Sequence, residues 1–106
     1  MFEKVSFDNA IGSSFKGYLT TSYDNLVKNF GEPTSLEVSG DGKVRAEWAL
    51  KFDNGTIATI YDWKSQPDVE LEDITDWHIG GFDYMAVTRL EDYMTGEFKI
   101  THQRFN

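Results

Sequence analysis

The sequence predicts an α+β fold, in which a mostly antiparallel β-sheet carries two helices packed on one face. Three observations support this class: an Asn-Gly hairpin signal in 44–64, two short amphipathic helical patterns, and strands whose apolar and polar residues alternate. The chain has 106 residues, including eight Phe, five Tyr and three Trp. This length suits one domain, 1–106, and the aromatic residues are sufficient for a hydrophobic core.

The hairpin is centred on Asn54-Gly55, because both residues tolerate the positive φ of a two-residue type I′ turn. Such a turn would pair Asp53 with Thr56. A strand alternates its side chains between two faces, so this register predicts which residues are buried together. The predicted buried face consists of Ala46, Trp48, Leu50, Phe52, Ile57, Thr59, Tyr61 and Trp63.

The other face of the hairpin is predicted to carry charges. Glu47 would lie opposite Asp62, and two opposed carboxylates can bind a divalent ion or share a proton. Diagonal contacts from Arg45 to Asp62 and from Lys64 to Glu47 would neutralise both acids. A pair of salt bridges is therefore the favoured interpretation.

The other predicted strands are short. They lie in 1–7, 15–19, 34–38, 74–79 and 98–100. Gly17 indicates a possible bulge in the second of them, and Gly80-Gly81 indicates a turn after the fourth.

Two helices are predicted. The first follows a cap at Thr21 or Ser22 and ends at Gly31, which is suited to the left-handed position after a helix. The second covers 83–94, with Asp83 as its N-cap. The predicted order of elements is ββαβββα, with one further strand possible.

The charge of the chain is concentrated in one region. The net charge is −8, and residues 62–97 hold ten acids but only Lys64 and Arg89 as bases. Nucleic acid and anionic membranes are disfavoured as partners, because each phosphate contact requires a cation. A basic protein surface is the favoured partner.

The candidate partner-binding residues are the exposed acids expected in this region. They are Asp68, Glu70, Glu72, Asp73, Asp76, Asp83, Glu91 and Asp92. The first of them are spaced like the ligands of a calcium loop, but Asp73 replaces the required Gly and Ile79 the required Glu. In an extended chain, acids two residues apart would repeat at about 6.6 Å, a spacing that could imitate a DNA phosphate backbone. A solvated loop is the simpler alternative.

A second candidate site is a small-ligand site at Trp77, His78, Gly80 and Gly81. An aromatic ring can stack on a nucleotide base, and a helix N-terminus after glycine can bind an anion. The acidic surroundings would repel a phosphate, however. His78 is more simply interpreted as a strand residue that is hydrogen-bonded to a carboxylate.

Three runs of the sequence carry a resemblance: GEPT (31–34), EWALKFDNGTIATIYDWK (47–64) and WHIGG (77–81). Together they resemble small acidic proteins encoded by bacteriophages and prophages. No activity and no functional residue comes with this resemblance. What it implies is a setting, in which small acidic phage proteins inhibit the nucleic-acid machinery or the defence of the host.

The leading hypothesis is therefore a phage-type inhibitor that binds a basic, nucleic-acid-handling or defence protein of the host through its negatively charged surface. The alternatives are a protein that sequesters nucleotides and a structural or assembly protein of the phage. The sequence contains no catalytic motif, so no enzyme, cofactor or metal is expected. The chain has no cysteine and no apolar run long enough for a membrane span, which indicates the host cytoplasm. The oligomeric state stays open.

Overall fold

The computed structural model describes residues 2–36, 44–63 and 68–102. Within these ranges it contains one antiparallel sheet in the order β1-β3-β4-β5-β2-β6 and two helices, which confirms the predicted α+β class. The strands are β1 (Phe2–Lys4), β2 (Ser14–Thr20), β3 (Glu47–Phe52), β4 (Ile57–Tyr61), β5 (Asp76–Gly81) and β6 (Lys99–His102), and the helices are α1 (Tyr23–Phe30) and α2 (Met85–Tyr93).

The order of these elements confirms the predicted ββαβββα pattern, and β6 is the additional strand. β1 is shorter than the predicted strand in 1–7, because the chain turns into a 3-10 helix at Phe7–Ala10. The strand predicted in 34–38 is reduced to an isolated bridge between Ser35 and Glu47, and 37–38 lie outside the described residues.

Helix α1 has the predicted ends. The Ser22 hydroxyl oxygen accepts a hydrogen bond from the Asn25 N–H at 3.0 Å, and Gly31 follows the helix with φ +80°. The helix buries Leu26 and Phe30 against the sheet. A helix of eight residues is not stable alone, so this packing stabilises it.

The centre of the core is a pair of buried tryptophans. The Trp48 and Trp77 rings pack edge to face, with their centroids 5.5 Å apart. The Trp48 indole N–H donates to the Gly31 carbonyl at 2.9 Å, and that of Trp77 donates to the Thr21 carbonyl at 3.0 Å. Both polar atoms are therefore satisfied inside the core, and both bonds attach the ends of α1 to the sheet.

The turn of the central hairpin differs from the prediction. Phe52 pairs with Thr56, whose carbonyl accepts from the Phe52 N–H at 2.9 Å, and Gly55 N–H donates back to the Phe52 carbonyl at 2.9 Å. The loop therefore has three residues, 53–55, and Gly55 adopts φ +89° as the left-handed residue that such a loop needs. The Asn54 side-chain oxygen also accepts from Thr56 N–H, which favours this turn.

The extra loop residue moves the register by one and exchanges the faces of β4. Trp48 is opposite Ile60 and Leu50 is opposite Ala58, and all of these side chains are buried in the core. The prediction was correct for β3 but wrong for β4 and the residue beyond it, because a one-residue shift turns every side chain to the other face. The residues wrongly assigned to the core face are Ile57, Thr59, Tyr61 and Trp63.

The Gly80-Gly81 pair ends β5 and does not form the predicted turn. Both glycines are buried, and a Cβ at either position would collide with a neighbour, Thr59 Oγ1 in one case and Ala86 Cβ in the other. Their role is close packing of α2 and β4 against β5. α2 consequently starts later than predicted, and the Asp83 carboxylate accepts from Met85 N–H at 2.9 Å just before the helix.

Strand β2 contains the predicted bulge. Its register to β5 shifts between Phe15 and Gly17, so that Phe15 pairs with Gly80 and Tyr18 with His78. Residues three apart on a regular strand point to opposite faces, but the bulge returns Phe15 and Tyr18 to the same face. Their ring centroids are 4.9 Å apart.

Candidate functional site

The face of the sheet opposite the helices carries a cluster of rings, which we call the aromatic face. It consists of Phe15, Tyr18, Tyr61, Trp63 and His78. His78 lies at its centre, with ring centroids 4.7 Å from Phe15, 5.3 Å from Tyr18, 5.6 Å from Tyr61 and 5.9 Å from Trp63.

Three neighbouring strands place these rings side by side. His78 on β5 pairs with Tyr61 on one side and with Tyr18 on the other. Trp63 comes two residues after Tyr61, so it projects to the same side of the sheet. Phe15 joins the cluster because of the bulge in β2.

The aromatic face is accessible. Tyr18 is 49% exposed and Trp63 is 41% exposed, although both are large side chains that a monomeric domain normally buries further. His78 is partly covered by the rings around it. This burial lowers the pKa of the His78 imidazole below its ordinary value of 6.5, so the centre of the face is uncharged at neutral pH.

A cleft of about 390 Å³ opens at one end of the aromatic face. Trp63 and Tyr18 lie on its two sides, and His78 contacts both of them. The exposed carboxylate of Asp76 lines the same cleft, as does Thr101. The cleft therefore combines aromatic surface with one negative charge.

The carboxylates of Glu47 and Asp62 do not oppose each other as predicted, because Glu47 pairs with Tyr61 in the shifted register. Asp62 is fully buried, and its Oδ1 accepts from the N–H groups of Arg45 at 2.7 Å and Ala46 at 2.9 Å. Arg45 Nε lies 3.7 Å from Asp62 Oδ2, which confirms the predicted contact between these two residues. The predicted contact of Glu47 with Lys64 lies outside the described residues.

Glu47 lies at the edge of the aromatic face, across from Tyr61. Burial, together with the nearby charge of Asp62, raises the pKa of Glu47 to about 7. Burial and the charge of Glu47 in turn raise the pKa of the Tyr61 phenol. Glu47 therefore carries only part of its negative charge at neutral pH.

The segment 68–76 is not the extended row of acids that the sequence suggested. Leu71–Asp73 forms a 3-10 turn, and Asp73 N–H donates to the Glu70 carbonyl at 2.9 Å. The segment turns because Val69, Leu71 and Ile74 pack against the core. A 3-10 turn rises only about 2 Å per residue, so the regular spacing expected for imitation of DNA is lost.

The eight predicted partner-binding acids are all exposed, but they do not form one surface. Asp76 begins β5 and Asp83 follows its end, and a strand of six residues separates them by about 17 Å. Glu91 and Asp92 are on α2, and Asp92 lines a separate cleft beside Phe52. Asp76 is the member of the predicted set that lines the cleft at the aromatic face. The members of the set that do not line this cleft are Asp68, Glu70, Glu72, Asp73, Asp83, Glu91 and Asp92.

The predicted small-ligand set is also divided. The side chain of Trp77 is in the core, and Gly80 and Gly81 are buried within β5. His78 is the member of this set that belongs to the aromatic face. The other members of the aromatic face, which neither predicted set contained, are Phe15, Tyr18, Tyr61 and Trp63. The bulge at Gly17 was the sequence signal that could have placed Phe15 beside Tyr18. Tyr61 and Trp63 were assigned to the core face, because Asn-Gly does not distinguish a two-residue from a three-residue loop.

Comparison with protein-family models, with curated proteins and with solved structures gives no match for this chain. Neither helix in the described part of the chain has the length and apolar character needed to cross a membrane. Within 2–36, 44–63 and 68–102, no three His, Asp or Glu side chains converge as metal ligands would.

Proposed function

We propose that this protein binds a basic surface of a partner protein, and that the aromatic face with Asp76 at its edge is the contact surface. The observation that supports this most directly is the exposure of Tyr18 and Trp63 on an open sheet face. Tyr and Trp are the side chains that most often anchor protein interfaces, because they supply a large contact area with few rotatable bonds.

The charge of the chain favours a cationic partner for this surface. Lys and Arg side chains bind the faces of Trp and Tyr rings through the ring quadrupole, and Asp76 adds a carboxylate beside them. The neutral imidazole of His78 does not repel a cation. The net charge of −8 attracts a basic partner from a distance and accelerates its association.

The class of partner is the one that the charge predicted, but the contact surface is different. The acids of 68–73, with those near α2, contribute long-range attraction, whereas the aromatic face contributes the contact itself. We propose further that the partner is a nucleic-acid-handling or defence protein of a bacterial host and that binding inhibits it, which is the setting that the resemblance to phage proteins implies. On this proposal the protein acts by binding and not by catalysis.

The test uses three immobilised proteins: the parent, the double variant Tyr18→Ala/Trp63→Ala, and a control, Glu91→Gln/Asp92→Asn. The control removes two exposed acids from α2 and leaves the aromatic face unchanged. The probe is a peptide of Lys and Arg in equal number, measured at about 0.01 M and about 0.15 M ionic strength.

The double variant should lose at least about tenfold in affinity at both salt concentrations, which is the loss typical of removing aromatic anchors. The control should lose affinity mainly at the lower salt concentration, where attraction between distant charges is strongest. If the double variant binds the peptide as tightly as the parent, the aromatic face is not the contact surface and the proposal is wrong.

A small-ligand function is the second candidate, because the rings that border the cleft can stack on a nucleobase. Asp76 would repel a phosphate, so the structure favours a nucleoside over a nucleotide. Thermal shift with adenosine and with adenosine monophosphate separates the two cases. Stabilisation by neither compound would contradict this second function.

A further inference from the structure

We infer that the cation recognised at the aromatic face is the guanidinium group of an arginine side chain. This inference rests on the proposed function and narrows it, since the proposed function requires only a basic partner. The main observation is that Trp63, Asp76 and His78 line the same cleft, and that the Trp63 and His78 rings are nearly parallel.

The register of β4 and β5 brings Trp63 and Asp76 together. Tyr61 and His78 are directly paired, Trp63 follows Tyr61 by two residues, and Asp76 precedes His78 by two residues. In an antiparallel pair these two steps run in the same direction and return to the same face. Trp63 and Asp76 therefore both lie just beyond the Tyr61–His78 pair on the same side of the sheet, and both line the cleft.

The orientation of the rings suits a planar ligand. The Trp63 and His78 planes are only 23° from parallel, with centroids 5.9 Å apart. A planar group that stacks on the exposed indole therefore extends this near-parallel arrangement of rings. Guanidinium is planar and stacks in this way, whereas the ammonium of lysine is a point charge with no plane to align.

The carboxylate adds a second preference for arginine. A guanidinium can donate two parallel hydrogen bonds to one carboxylate while its face remains on an aromatic ring. It is also less strongly hydrated than an ammonium, so it loses less when part of its water shell is replaced by a ring. The open cleft, with one carboxylate and rings on two sides, therefore binds arginine better than lysine.

Another charge on the same face indicates which side of Asp76 the ligand takes. Lys99 on β6 pairs with Thr20, and Thr20 pairs with Asp76, so the backbones of Lys99 and Asp76 are two strands apart, roughly 10 Å. A cationic ligand is repelled from that side and favoured on the side of Trp63. The charges and the aromatic surface thus both favour a cationic ligand on the Trp63 side of Asp76.

The test compares hexa-arginine and hexa-lysine peptides, titrated separately into the full chain. Binding is followed by tryptophan fluorescence and by the NMR signal of the Trp63 indole N–H. We expect hexa-arginine to bind about threefold or more tightly than hexa-lysine, the ratio that exposed stacking supports. The Trp63 indole signal should shift with hexa-arginine.

Two variants test whether Trp63 and Asp76 cause the preference for arginine over lysine. Trp63→Ala and Asp76→Asn should each bring the ratio of the two affinities to about one, whereas the control Glu91→Gln, on the exposed surface of α2, should keep the ratio of the parent. Both changed residues are exposed, and thermal melts verify that the variants fold. A ratio that persists in Asp76→Asn would contradict the role of the carboxylate.

The outcomes separate this inference from the proposed function. If both peptides bind equally and Tyr18→Ala/Trp63→Ala weakens both, the aromatic face binds cations without a preference, and only the arginine inference is wrong. If that double variant leaves both affinities unchanged, the proposed function and the inference are both wrong.

Discussion

Replacing Glu47 by Gln should change how the stability of the protein depends on pH. The pKa of Glu47 is raised from 4.5 to about 7, first by burial and then by the charge of Asp62. The folded protein thus holds this proton more tightly than the unfolded chain does. The stability contributed by protonated Glu47 is complete below pH 4.5 and is lost as the pH rises through about 7.

The size of this effect follows from the shift. A fully buried group shifted by this amount would contribute about 3 kcal/mol. Glu47 is partly exposed, and solvent screening reduces the contribution to about 1 kcal/mol. The parent should therefore lose about 1 kcal/mol relative to Glu47→Gln between pH 4.5 and pH 7.

Urea melts of the parent and of Glu47→Gln across this pH interval measure the difference directly. The lowered pKa of His78 gives the opposite trend, because its stabilisation is lost as the pH falls below 6.5. This contribution is present in both proteins and cancels in their difference. Glu91→Gln, which removes an exposed acid of α2, is the control. A difference between parent and Glu47→Gln that does not vary with pH would refute the reasoning.

Three further predictions concern the fold and the charge. Trp48→Ala should lower the free energy of unfolding by about 3–5 kcal/mol in denaturant melts, because it empties a fully buried site and removes the hydrogen-bond donor to the Gly31 carbonyl. A loss below about 1 kcal/mol would contradict this packing. Gly55→Val should lower the free energy of unfolding by about 1–2 kcal/mol, and Gly55→Asn should lower it much less. The space around this residue is open, so the loss comes from its φ of +89° alone. Equal thermal stability of the two variants would contradict the assigned turn. Changing the acids of 68–73 to Asn and Gln should leave stability within about 0.5 kcal/mol and slow association with the Lys/Arg peptide at low salt, without changing its dissociation rate. A faster dissociation in stopped-flow measurements would show that these acids belong to the contact.

The parts of the fold that the sequence predicted correctly depend on local chemistry. The ends of α1 follow from a capping hydroxyl at Ser22 and a left-handed Gly31, and both act within a few residues of the helix. The bulge near Gly17 was likewise indicated by a local signal, a glycine inside the alternating pattern of a strand. Such signals do not require knowledge of the remaining chain.

The aromatic face could not be predicted in the same way, because it depends on a choice between two apolar faces. Strand β4 has Ala58 and Ile60 on one side and Ile57 and Tyr61 on the other, so its hydrophobic pattern does not decide which side the helices cover. Asn-Gly fits both a two-residue and a three-residue loop. Only tertiary packing, with Ala58 and Ile60 in the core, selects the three-residue loop.

The prediction that the acids of 68–73 lie in an extended chain was wrong because it also neglected tertiary packing. Their charges dominate the sequence of this segment, but Val69 and Leu71 determine its path by packing on the core. The burial of two apolar side chains outweighs the small cost of bringing exposed charges closer together.

The length of the loop 53–55 makes the aromatic face sensitive to deletions rather than to substitutions. Asp53 and Asn54 are exposed, so many side chains fit there. Removing one residue from this loop would leave a two-residue connection and would rotate β4 by half a turn relative to β3. Tyr61 and Trp63 would then enter the interior and Ile60 would leave it, although the deletion lies at the far end of β4 from the cleft. Among homologous sequences, the number of residues between the Phe52 and Thr56 positions is therefore a better marker of a shared binding surface than the residues in the loop.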